Sequence, residues 1–156
     1  MNKYLQIKEW SEGNAKYYYA ERLGVDSIAF ILHNSTTGQF GLIKEFKPPI
    51  NRFLITAFGG SLDKDIQQAS IVEEEVEEEA GYINTQISYA GSVFVSTQMN
   101  QFCYLYLVDV THATVVPKKP QTAMEAVAEV VWLYPTQIIG GDDWKSITIL
   151  TKMGLI

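Results

Sequence analysis

"IVEEEVEEEAGY", residues 71–82, is the stretch on which the reading of this chain turns. Six glutamates occupy Glu73 to Glu79, broken only by Val76. On a helix Glu73 and Glu77, Glu74 and Glu78, and Glu75 and Glu79 stand four apart, and each exposed like-charge pair of that kind costs roughly 0.2–0.5 kcal/mol. At about 100° per residue, with Glu75 at zero, Glu78 falls at about −60° and Glu79 at about +40°. Ala69, Val72, Val76 and Ala80 occupy the neighbouring arc, a stripe suited to face a core. Three carboxylates on one arc beside a buried stripe suit a hard divalent cation such as Mg²⁺, which takes oxygen ligands. A solvated glutamate-rich face is the alternative.

Charge sharpens the choice. The chain has 12 basic and 18 acidic residues, so the six glutamates of this stretch account for its whole net charge of −6. The acidity is local. A nucleic-acid binder or an anionic-membrane binder would show a basic surface, and neither partner is expected. Lys118 and Lys119 make only a small basic spot. No apolar run reaches the roughly 18 residues of a membrane span. The N-terminal "MNKYLQIKEW" is too polar for a secretory signal, so a cytoplasmic location is expected. The lone Cys103 lies in the apolar run "QFCYLYLVDV" and reads as a buried structural thiol. His33 and His112 are too isolated for a zinc site or a catalytic triad.

The 156 residues suit a single domain, 1–156, able to bury a real core. "DSIAFILHN" (26–34) and "QFGLIKEF" (39–46), joined through "STTG", read as a hairpin. "RFLITAF" (52–58) reads as one short strand running into Gly59 and Gly60. The acidic helix is expected from near Asp65 to a C-cap at Gly81. "TQISYAGSVFVST", "QFCYLYLVDV" and "AEVVWLY" follow as strands. Pro135 and the Asp142–Asp143 pair open a short helical segment and a final helix ending near Met153. Helices on a mixed sheet in a chain of this length predict a layered α/β or α+β domain.

The "FGG" strand end, the "SLDKD" loop and the helix together resemble the Nudix hydrolase box: a glycine, five residues, a glutamate, seven residues, then R-E-U-x-E-E-x-G-U with U bulky and apolar. The match runs Gly60, Glu75, Val76, Glu78, Glu79, Gly81 and Tyr82. "LIKEFKPPINRFLITAFGG" is similar to the strand–loop–strand before the box in ADP-ribose pyrophosphatases, and "AEVVWLYPTQI" to the strand and helix start that close such domains. Two positions depart: Ile66 stands where the box has its first glutamate and Glu74 where it has arginine, side chains that brace loop and helix in the family. Thr97 stands where ADP-ribose-specific relatives carry proline.

The resemblance implies an α/β/α sandwich with a mixed β-sheet and hydrolysis of a nucleoside diphosphate linked to another moiety. ADP-ribose, nucleotide sugars, dinucleotides and flavin dinucleotide all stay open. It implies Mg²⁺ or Mn²⁺ held by Glu75, Glu78 and Glu79 with the carbonyl of Gly59, and Gly60 and Gly81 as structural glycines. Glu78 and Glu79 are expected to take part in catalysis, joined by a loop glutamate from "PKKPQTAMEAVAE" (117–129), Glu125 first and Glu129 second. Phe46, Lys47 and Arg52 are the candidate substrate contacts, and strands within about 1–23 are expected to form a homodimer contact. A Nudix-type nucleotide-binding module of weak or no activity is the runner-up. A protein-interaction domain with an acidic helix is the third reading.

Overall fold

Strand β3 (Ser27–Asn34) organises the molecule, a computed structural model that describes residues 5–22 and 26–156. Its sequence "SIAFILHN" is apolar without alternation because both of its faces are covered. Ile28, Phe30 and Leu32 point to one side and pack with Phe58, Val72, Val76 and Val108. Ala29 and Ile31 point to the other and pack with Leu105, Ile149 and Leu150. Two cores, one on each face of a single sheet, make the protein a three-layer α/β/α sandwich.

Strand β4 (Gln39–Lys47) returns antiparallel from β3 through a turn in which Asn34 Oδ1 accepts from the Thr36 and Thr37 N–H groups, and Gly38 takes φ +70°. Strands β1 (Leu5–Glu12) and β2 (Ala15–Arg22) form an antiparallel hairpin at one edge. Residues 1–4 and 23 of the expected N-terminal contact lie outside the described residues. Strand β8 (Gln86–Ser96) pairs antiparallel with β9 (Met99–Asp109), and β9 runs parallel to β3 along Ser27–His33. Strand β11 (Glu129–Leu133) pairs with β4, so the main order is β1-β2-β9-β3-β4-β11. Strands β7 (Tyr82–Ile83) and β10 (Thr114–Val115) make a separate two-stranded ladder. Parallel and antiparallel neighbours together give the mixed sheet expected.

Three local expectations need correction. "RFLITAF" is two strands: β5 (Arg52–Thr56) pairs with β4, and β6 (Phe58–Ser61) pairs with β3. The break falls at Ala57, whose N–H donates to Asp143 Oδ2 at 2.8 Å instead of joining a ladder. The acidic helix α1 (Gln68–Glu75) starts three residues later than Asp65, with Gln67 extended at φ −61°, ψ 141°. The 117–129 segment also contains a short helix, α2 (Ala123–Val127), begun by a capping box between Thr122 and Glu125. The last two helices, α3 (Pro135–Ile139) and α4 (Trp144–Lys152), cover the Cys103 face of the sheet. Cys103 is fully buried there, and burial pushes its thiol pKa up, as suits a structural residue. Among the described residues no helix is long and apolar enough to cross a membrane.

Candidate active site

Helix α1 lies on the face of the sheet opposite α3 and α4, fixed by Ile71, Val72, Val76 and Ala80. Val72 and Val76 are fully buried and Ala80 nearly so, but Ala69 of the expected stripe is exposed and Ile71 packs in its stead. The helix does not end as an α-helix. Residues Val76–Ala80 form a π-helical turn in which the Gly81 N–H reaches back five residues to Val76 O at 2.9 Å. Such widened turns are rare and concentrate at functional sites. The angles expected for a uniform α-helix therefore do not hold past Glu75, because the turn carries one more residue.

Both box glycines have a steric reason. A Cβ on Gly60 would lie 2.9 Å from Cγ, Cδ and Oε1 of Glu75, so the bare Cα is what lets that carboxylate lie across β6. Gly81 sits at φ +76°, and a Cβ there would stand 2.6 Å from Val116 O. Val116 N–H in turn donates to Gly81 O at 2.8 Å, and Lys119 N–H donates to Glu78 O at 2.9 Å. These bonds hold the 116–120 segment against the end of the acidic helix.

The carboxylates meet where these parts converge. Burial, with Glu78 nearby, pushes the Glu75 pKa up to about 7. Burial, with Glu75, Glu45 and Glu125 nearby, pushes Glu79 up to about 8. The two side chains lie in hydrogen-bond contact with one another. Glu78, Glu79, Glu45 and Glu125 line one wall system around a pocket of about 80 Å³, with Lys118 at its rim.

Of the residues singled out from the sequence, Glu75, Glu78, Glu79 and Gly60 are gathered, and Glu125 joins them from α2. Glu125 is partly committed: its Oε2 accepts from the backbone N–H groups of Gln121 (2.5 Å) and Thr122 (3.2 Å). Glu129 is exposed at the start of β11 opposite Lys44 and does not line the pocket. Gly59 pairs with Ala29 one residue before the Glu75 contact, with 3.6 Å between a notional Cβ and Ile28 O. Lys47 lies on the same strand face as Ile43 and Glu45 and is ion-paired to Glu45. Phe46 is on the opposite face, edge-on to Phe53, with ring centroids 5.6 Å apart. Arg52 is exposed and stands 3.9 Å from Asp142. The three candidate substrate contacts thus do not share one surface.

Two features escaped the sequence reading. Glu45 enters the pocket from β4, a position marked in the sequence only by its alternation with Ile43. Lys64 Nζ meets Glu74 Oε2 at 2.5 Å. Glu74, which occupies the arginine's place in the box, thereby ties the helix to the preceding loop through an ion pair of reversed polarity.

Among the described residues no three His, Cys, Asp or Glu side chains converge as they stand into a cage for a metal ion. The donor chemistry nevertheless fits a hard divalent cation. The set is all carboxylate, the oxygen donors that such a cation takes.

No family model matches this chain, and no curated protein matches it in sequence. Among solved structures, one described as an ADP compounds hydrolase superposes with a TM-score of 0.74, covering 95% of this chain and 89% of that one at 7% sequence identity. At that identity the likeness is one of fold, and the fold resembles that of an ADP-compound hydrolase.

Proposed function

We propose that this chain is a Nudix-type pyrophosphohydrolase that cleaves a nucleoside diphosphate linked to a second moiety. The observation that carries the reading is geometric: Glu75 lies across Gly60 beside a pocket lined by Glu78, Glu79 and Glu125. The likeness of fold to an ADP-compound hydrolase supports the same class.

In this reading Glu75, Glu78 and Glu79, with the carbonyl of Gly59, hold Mg²⁺ or Mn²⁺. Bound there, the cation offsets charge on the diphosphate and makes water more acidic. The chain's own part is to keep those carboxylates aimed and to receive a proton. Water oxygen bonds to phosphorus, the anhydride P–O bond breaks, and the water's proton passes to a carboxylate. Glu125 takes that role through Oε1, since Oε2 is engaged by the backbone of its own cap. Lys47, on the pocket side of β4, is the substrate contact of the three named from the sequence that stands with these residues. The exposed Ile7 and Tyr18, on one face of the β1–β2 hairpin, are the proposed homodimer contact.

The test is product formation from ADP-ribose, nucleotide sugars, dinucleotides and flavin dinucleotide, with Mg²⁺ or Mn²⁺ and with chelator. Turnover that needs metal and falls by about 10²-fold or more in Glu79→Gln supports the hydrolase. Metal-dependent binding of these compounds by a folded protein without turnover would assign a nucleotide-binding module instead. Binding of neither metal nor nucleotide would refute both.

A further inference from the structure

The pocket is an odd place for a polyanion. Glu45, Glu78, Glu79 and Glu125 line it and Glu75 lies beside it. The nearby cations are mostly spent: Lys47 is paired with Glu45, Lys64 with Glu74 at 2.5 Å, and Lys119 with Glu77 at 2.5 Å. Lys118 differs. It lines the pocket, yet among the described residues its side chain has no ion pair or hydrogen bond.

Its place is also constrained. The backbone on either side is fastened to the end of the acidic helix by Val116 N–H to Gly81 O and Lys119 N–H to Glu78 O. The stem of Lys118 lies against Gly81, its Cγ 3.3 Å from where a Cβ on that glycine would be. Gly81 therefore does more than allow a positive φ: its missing side chain is the surface over which Lys118 passes. Lys119 turns outward to Glu77, and Lys118 is left at the mouth of the pocket.

We propose that Lys118 is a substrate-binding residue that meets the diphosphate of the ligand, an assignment that rests on the hydrolase reading for its substrate class. A lysine ammonium binds phosphate as a point charge and needs no fixed fork geometry. Because it has no carboxylate partner to leave, no existing ion pair opposes the new contact. A contact made equally to bound substrate and to the transition state acts on KM and leaves kcat nearly unchanged.

The experiment compares wild type, Lys118→Ala, Lys118→Gln, Lys118→Arg and Lys119→Ala. Steady-state kinetics are read on the best compound of the panel, and calorimetric binding of inorganic pyrophosphate with Mn²⁺ is read in parallel. The expected result is a KM raised about tenfold or more in both Lys118→Ala and Lys118→Gln, with pyrophosphate affinity weakened alike. kcat changes by less than about threefold, Lys118→Arg recovers most of the loss, and Lys119→Ala stays near wild type. Wild-type turnover with unchanged KM and pyrophosphate affinity in the Lys118 variants overturns this inference and leaves the hydrolase standing. If wild type turns over nothing, the hydrolase reading fails. The pyrophosphate arm then decides alone: weaker binding in Lys118→Ala upholds the anion contact, and equal or absent binding overturns it.

Discussion

Removing the charge on Glu79 should stabilise this protein at alkaline pH. Glu75 and Glu79 have pKa values raised from 4.5 to about 7 and about 8 in the folded state. Between pH 4.5 and 8 the folded state binds more protons at these sites than the unfolded one, so their contribution to stability falls as pH rises. Each tenfold change in proton affinity is worth about 1.4 kcal/mol, and both carboxyls stay partly open to screening water, so about 2 kcal/mol for the pair is the expected loss across that window. Urea unfolding at pH 5, 7 and 9 in chelator measures it. Wild type should lose about 1 kcal/mol more than Glu79→Gln between pH 5 and 9, because the amide fills the same space without ionising while Glu75 still titrates. Excess Mn²⁺ should restore stability at pH 9 more than at pH 5, since cation and proton compete for the same oxygens. Parallel pH curves for wild type and variant would show that burial of this pair is not what tunes it.

The two glycines should respond differently. Gly60→Ala meets only the flexible end of Glu75, so the fold survives while the displaced carboxylate lowers kcat/KM by up to about 10²-fold, read by kinetics beside a thermal melt. Gly81→Ala combines φ +76° with a clash against backbone, and should cost about 2 kcal/mol, or roughly 4–8 °C in Tm. For the Lys64–Glu74 pair, stability should hardly change on removal of either partner because both side chains are exposed. Its value shows in activity: Lys64→Glu should reduce turnover and the double exchange Lys64→Glu with Glu74→Lys should restore it. A double variant no better than Lys64→Glu would refute a bracing role.

What the sequence revealed and what it concealed divide along the range of the interactions. The buried stripe of Val72, Val76 and Ala80 follows from periodicity and β3 from its apolar composition, each within one element, and both were legible. The layers followed from the order of those elements. The break at Ala57 was hidden because its cause, Asp143, lies 86 residues away. Glu45 was hidden for a similar reason: alternation tells that it shares a face with Ile43, but only the pairing of β4, β3 and the acidic helix tells which face. Lys64 and Glu74 were each visible, but their partnership depends on where the loop ends, and the late helix start at Gln68 changed that. The capping box of α2 is written plainly in Thr122 and Glu125, but the prolines and lysines just before it give the segment the look of a loop.

The π-helical turn ties chain length to chemistry. Residues 76–80 hold one residue more than an ordinary α-helical turn, and Glu79 stands inside it. Deleting any one of residues 76–79 would place Ala80 four residues after Glu75, where Glu79 now stands. The carboxylate would leave that place while the stretch kept the composition of a helix. Among changes to this chain, an edit in length at this turn would act on the site before it acted on the fold.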